Sequence, residues 1–97
     1  MNWMNMIKFK KGDIVYHPTG VIYVLLQDVH LKAWYSNVQC RRLKGNVTVW
    51  LSKHTLRPIR DVLQGKDLLV YELSGVLPKN IYKLTREHCC PKVENEV

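Results

Sequence analysis

The sequence predicts a small, mainly β barrel with a short helical C-terminal extension, and three observations predict it. Residues Phe9 to Val24 (FKKGDIVYHPTGVIYV) give a short strand, a tight turn and a return strand. Gly45-Asn46 then separates two further apolar-rich runs, Val38 to Leu43 and Val47 to Leu51. After Ile59 the pattern changes, and residues 60–97 have the character of an appendage. A chain of 97 residues, 46% hydrophobic and 24% charged, has room for one domain with a modest core and none for a second independent one.

In the first hairpin Pro18 presets the φ of the second turn position, and Gly20 can take the left-handed conformation that the exit requires. A turn that pairs His17 with Val21 puts Ile14, Tyr16, Ile22, Val24 and Leu26 on one face and Val15, His17, Val21 and Tyr23 on the other. Both faces carry apolar side chains, so another part of the chain is expected to wrap this hairpin. Asp28 to Tyr35 is less legible: Val29 to Leu31 either continues the second strand or begins a loop.

The second hairpin breaks simple alternation, because Cys40 and Leu43 lie an odd number of residues apart. A β-bulge at Arg41-Arg42 restores it. Leu43 then faces Val47, Cys40 faces Val49 and Val38 faces Leu51 on the buried side, while Gln39, Arg41, Arg42, Thr48 and Trp50 point outward. Pro58 marks a strand end or an edge. The barrel is expected over residues 7–59, with a helical extension packed on it over 60–90 and a disordered polar tail over 91–97. Within the extension, Asp67 to Leu73 suits a short helix capped by Asp67 and ended by Gly75, although Leu68 to Leu73 could equally form an edge strand. Pro78 to His88 is the second helix, with Pro78 in its first turn and Ile81, Tyr82 and Leu84 as a narrow apolar stripe.

The chemistry points to binding. Fifteen Lys and Arg against eight Asp and Glu give a formal charge of +7, which attracts phosphate backbones, anionic membranes or an acidic protein face without choosing among them. Cys40, Cys89 and Cys90 cannot form an even disulfide framework. Residues 1–7 lack the apolar core and cleavage site of a signal peptide, and no apolar run nears the ~20 residues that span a bilayer. A reduced, cytoplasmic protein with no membrane partner is expected. His88, Cys89 and Cys90 with Cys40 or His54 have zinc-ligand chemistry, but adjacent cysteines turn poorly toward one tetrahedral ion, so no metal and no other cofactor is predicted. His17, His30, His54 and His88 show no catalytic spacing. With no Gly-rich phosphate loop, nucleophile elbow or H-E-x-x-H helix, and with Asp13 and Asp28 beside turns, a non-catalytic role is expected.

The sharpest constellation is Arg41, Arg42 and Trp50, joined by Trp34 and Tyr35 from the preceding segment. Guanidinium groups pair with phosphates, and exposed rings stack on bases. The alternative is that the tryptophans are core residues of a small domain. Lys8, Lys10 and Lys11 before the first strand, and Lys53, His54 and Arg57 after the fourth, could meet on a basic rim if the barrel closes.

Phe9-Lys10-Lys11-Gly12-Asp13-Ile14-Val15-Tyr16-His17-Pro18-Thr19-Gly20, then Gly45-Asn46-Val47-Thr48-Val49-Trp50-Leu51, then Ile59-Arg60-Asp61-Val62, resemble the Tudor-like domain of CarD-type transcription regulators and of the transcription-repair coupling factor. The likeness covers about residues 7–63. It implies an SH3-like (Tudor/KOW-like) barrel that docks on the β subunit of bacterial RNA polymerase through an exposed strand edge. That edge would include the second and third strands, hence Tyr23, Leu25, Arg41 and Arg42. The turn His17-Pro18-Thr19-Gly20 is shorter than the family's, and residues 64–97 are too few for the helical DNA-binding domain that follows in CarD-type proteins. The expected function is thus a transcription-associated adaptor contacting RNA polymerase, DNA or RNA. The alternative is a protein-interaction module, such as a phage-encoded inhibitor of a host factor, meeting an acidic protein surface.

Overall fold

Turn chemistry sets the first hairpin. In the computed structural model, which describes residues 7–89, β2 (Ile14–Tyr16) and β3 (Ile22–Leu25) pair antiparallel with Tyr16 opposite Ile22 and Ile14 opposite Val24. The His17 N–H donates to the Val21 carbonyl at 3.0 Å, and the Gly20 N–H donates back to the His17 carbonyl at 2.7 Å. Gly20 holds φ at 95°, a conformation in which a Cβ would be strained. The expected register therefore forms.

β1 (Ile7–Phe9) precedes this hairpin and pairs antiparallel with β4 (Val29–His30), so Val29 belongs to a strand of its own. Two carboxylates tie the β1–β2 connection. Asp13 accepts the Lys10 N–H at 2.9 Å, and Asp28 accepts the Lys11 N–H at 2.8 Å. β5 (Asn37–Arg42), β6 (Thr48–Ser52) and β7 (Arg57–Pro58) complete a five-stranded antiparallel sheet in the order β6-β5-β3-β2-β7. Pro58 sits on an edge strand, where its missing N–H costs least. Among the described residues β6 and β7 do not pair, and the sheet is open.

The expected bulge at Arg41-Arg42 is absent. Val38 pairs with Leu51, Cys40 with Val49 and Arg41 with Thr48 in unbroken register, and the Arg42 N–H reaches the Val47 carbonyl at 2.7 Å. Arg41 and Arg42 consequently point to opposite sides, and Leu43 and Val47 stay exposed instead of meeting in the core. The physical reason lies in the ladder: Arg42 stands opposite the core residue Tyr23 with its own side chain exposed, Leu43 and Val47 fall at the end of the hairpin, and Gly45 and Asn46, both at positive φ, close the turn.

Two apolar clusters lie on either side of the first hairpin. Val15, Tyr23 and Leu25 pack with Phe9, Val29, Val38, Cys40 and Leu56, whereas Tyr16 and Ile22 pack with Ile59, Val62, Leu63 and Ile81. The second cluster is the wrapping that a two-faced hairpin demanded. It is supplied by a 3-10 turn (Ile59–Val62) and two helices, α1 (Gly65–Ser74) and α2 (Ile81–Cys89).

The helix termini differ from expectation in detail. α1 is a helix over the segment that could have been an edge strand, but its N-cap is Gln64, with Asp67 inside the first turn, where a carboxylate suits the helix dipole. Gly75 ends it in the left-handed conformation, its N–H donating to the Tyr71 carbonyl at 2.7 Å. α2 starts at Ile81 after a turn over Pro78. Its inward side is Ile81, Leu84 and Thr85, and Tyr82 faces out. The tail expected over residues 91–97, and Cys90, lie outside the described residues.

Candidate functional site

Strand alternation assembles the exposed surface of β5 and β6. Gln39 sits opposite Trp50 and Arg41 opposite Thr48, on the same side of the sheet as Val24 and Ile22. The C-terminal helices pack on that side against Tyr16 of β2 and Ile22 of β3. Over β5 and β6, among the described residues, Trp50 is 62% exposed on the edge strand with the exposed Arg41 on the same face. The indole is outward because Val49 and Leu51 claim the inner side.

Charge reinforces this geometry. Between Asp28 and Asp61 the chain contains no acidic residue, while Lys32, Arg41, Arg42, Lys44, Lys53, Arg57 and Arg60 fall in that span. Composition averaged over the chain hides this run, and a positional tally of carboxylates is the signal that reveals it. The described residues contain one carboxylate salt bridge, Arg60 to Glu72 at 2.8 Å, away from this hairpin. Among the described residues neither Arg41 nor Arg42 is paired with a carboxylate.

A second aromatic is presented by the loop between β4 and β5. Trp34 is 94% exposed and meets Tyr35 edge-on, ring centroids 5.9 Å apart. Two side chains, Tyr35 and Lys53, brace the loop beneath it. The Tyr35 hydroxyl accepts the His30 N–H and donates to the Asp28 carbonyl, both at 3.1 Å. The Lys53 ammonium donates to the carbonyls of His30 at 2.9 Å and Ala33 at 3.0 Å, and lies 4.8 Å from the Tyr35 ring centroid.

Several predicted contact residues fall elsewhere. Lys53 is 2% exposed, so it is a structural brace and not part of a basic rim, because the loop carbonyls offer its ammonium acceptors that the turn after β6 brings within reach. Tyr35 is half-buried in the same brace. Tyr23 and Leu25 are buried on β3, and β3 and β5 are interior strands, so the docking edge that the CarD-type likeness implied does not lie there. The free edge beside this surface is β6. Burial chiefly raises the Tyr23 phenol above its ordinary range, with Arg42 opposing. Lys8, Lys10 and Lys11 are exposed around β1 and its turn, and the exposed Arg57 folds onto its own backbone, donating to the carbonyls of His54 at 3.0 Å and Leu56 at 3.2 Å.

Cys40 is fully buried, and burial pushes its thiol up to about 11. Among the described residues no group of three His, Cys, Asp or Glu side chains could hold a metal ion, and no helix is long and apolar enough to cross a membrane. Tyr82, outside the predicted contact set, turns out toward Lys44, whose ammonium lies 5.6 Å from its ring centroid. The chain matches no protein-family model, no curated protein and no solved structure.

Proposed function

We propose that this chain is a non-catalytic, cytoplasmic adaptor of transcription that holds single-stranded nucleic acid on the outward face of β5 and β6. One observation carries the reading: Arg41 and the exposed Trp50 lie on one face of an edge hairpin inside a span without carboxylates. An indole in water offers any base a stacking surface, and a neighbouring guanidinium pairs with the phosphate that follows. We read the open sheet and the β1–β4 pair together as an SH3-like barrel of the Tudor/KOW kind, left unclosed between β6 and β7.

A second reading is favoured by the unpaired backbone of β6. An extended segment of an acidic protein, RNA polymerase in the CarD-type likeness, could add to that edge by backbone hydrogen bonds. Fluorescence anisotropy with a short unstructured oligonucleotide separates the two. Strand binding should weaken with salt by about −0.7 in log–log slope per phosphate engaged. Trp50→Ala should cost about 1–3 kcal/mol of it. If no oligonucleotide binds at low salt while polymerase is retained from nuclease-treated lysate, the edge reading replaces the first.

A further inference from the structure

Alternation separates Arg42 from Arg41, and Arg42 ends in a cleft that the Arg41–Trp50 surface does not include. The cleft lies between the β5–β6 turn, the start of β3 and α2. It has a volume of about 420 Å³ and is lined by Gly20, Val21, Ile22, Arg42, Lys44, Gly45 and Tyr82. That volume falls within the roughly 300–1,000 Å³ of small-ligand sites.

We propose that this cleft is a nucleotide site, taking one planar base with its phosphate. The lining divides into two kinds of surface. Arg42 and Lys44 are cations without a carboxylate partner among the described residues, and no acid lines the cleft. The remainder is the Tyr82 ring, the half-buried Val21 and two glycines, with Ile22 buried beneath them. An inorganic anion would use the cations and leave the apolar wall wet. A planar ring carrying a phosphate uses both, with the ring against Tyr82 and the charge at Arg42 and Lys44.

The guanidinium is held in advance. Arg42 Nε donates to the Lys44 carbonyl at 2.9 Å, which fixes its plane and leaves the terminal nitrogens for a ligand. Gly45 keeps that position open, since a Cβ there would stand 3.1 Å from Arg42 Nη2 and its φ of +89° strains any other residue. The ligand chemistry has two sources, a free mononucleotide or the phosphorylated end of a strand. The site needs neither Arg41 nor Trp50, so it stands apart from the strand-binding reading.

The test is a ¹H–¹⁵N titration of the whole chain with adenosine monophosphate, and in a parallel arm with inorganic phosphate at equal ionic strength. The monophosphate should move the Gly20, Val21 and Gly45 amides saturably, with a Kd below about 1 mM. Tyr82→Ala and Arg42→Ala should each weaken it about tenfold, the loss of one stacking or charged contact. Trp50→Ala should leave it unchanged. Unshifted amide signals elsewhere in each variant verify the fold. Oligonucleotides with and without a 5′-phosphate separate the sources: preference for the phosphorylated end assigns a strand terminus, and equal behaviour assigns the free nucleotide. Absence of saturable shifts, phosphate matching the monophosphate, or indifference to Tyr82→Ala would each overturn the proposal. Monophosphate binding alongside failed strand binding upholds the cleft and refutes the strand-binding reading.

Discussion

Lys53→Met removes an ammonium from the interior and keeps most of the side chain's apolar volume. The group lost makes two hydrogen bonds, to His30 and Ala33 carbonyls at 2.9 and 3.0 Å, and a ring contact with Tyr35 at 4.8 Å. Hydrogen bonds to charged groups contribute about 1.5–3 kcal/mol each, and the ring contact about 1 kcal/mol. The native Lys gives up rotamer freedom worth up to about 2 kcal/mol and its hydration. His30 ends β4 and Ala33 lies in the loop that follows, and both carbonyls are only partly buried, which limits the penalty of leaving them unpaired. The net expectation is a loss of about 2–3 kcal/mol, a large share of the roughly 5–15 kcal/mol of a small domain. Urea denaturation should show a lower midpoint with an unchanged slope. Amides of residues 31–35 should lose hydrogen-exchange protection beyond the global change. A midpoint within about 0.5 kcal/mol of wild type would refute the brace and return Lys53 to the surface.

Three further outcomes follow from the geometry. Raising the pH should destabilise the fold, because burial raises the Cys40 thiol from its ordinary 9.0 to about 11 and also raises the Tyr16 and Tyr71 phenols. The unfolded chain releases these protons first, so the Cys40 contribution is full below pH 9 and is lost as pH climbs through 11, read as a falling urea midpoint. For each such group the loss is at most about 1.4 kcal/mol for every pH unit climbed. Gly75→Ala should cost about 1 kcal/mol in the same assay, all of it conformational, since nothing lies within 4 Å of the added methyl at φ +75°. Trp34→Ala should change stability by less than about 0.5 kcal/mol while weakening oligonucleotide binding measured by anisotropy, if the braced loop presents Trp34 to the ligand.

Local chemistry was the legible part of the sequence. Pro18 and Gly20 fix a turn, a turn fixes a register, and the register told which residues of the first hairpin share a face. The apolar character of both faces then required a cover, which Ile59, Val62 and Ile81 supply. Pairings of Val38 with Leu51 and Cys40 with Val49 were readable by alternation. What alternation cannot tell is where the core ends along a strand, and the false bulge came from treating Leu43 as if it had to be buried. Sheet order was equally hidden, because nothing local distinguishes an interior β3 from an edge. Lys53 shows the limit most plainly: its acceptors come from residues 20 and 23 positions earlier in the chain, a juxtaposition that only the tertiary fold creates.

β2 is three residues long, and its neighbours Val15 and Tyr16 belong to different apolar clusters. Its register acts as a lock shared by sheet and helices. A slip by a single residue would exchange the two side chains and spoil both clusters together, so partial versions of this fold have little to gain. Severing the chain after Pro58 would likewise leave Ile14, Tyr16 and Ile22 as a bare, adhesive sheet face. The sheet and the helices behind it are therefore one cooperative object, and any excised fragment meant to carry the Arg41–Trp50 surface must bring the helices with it.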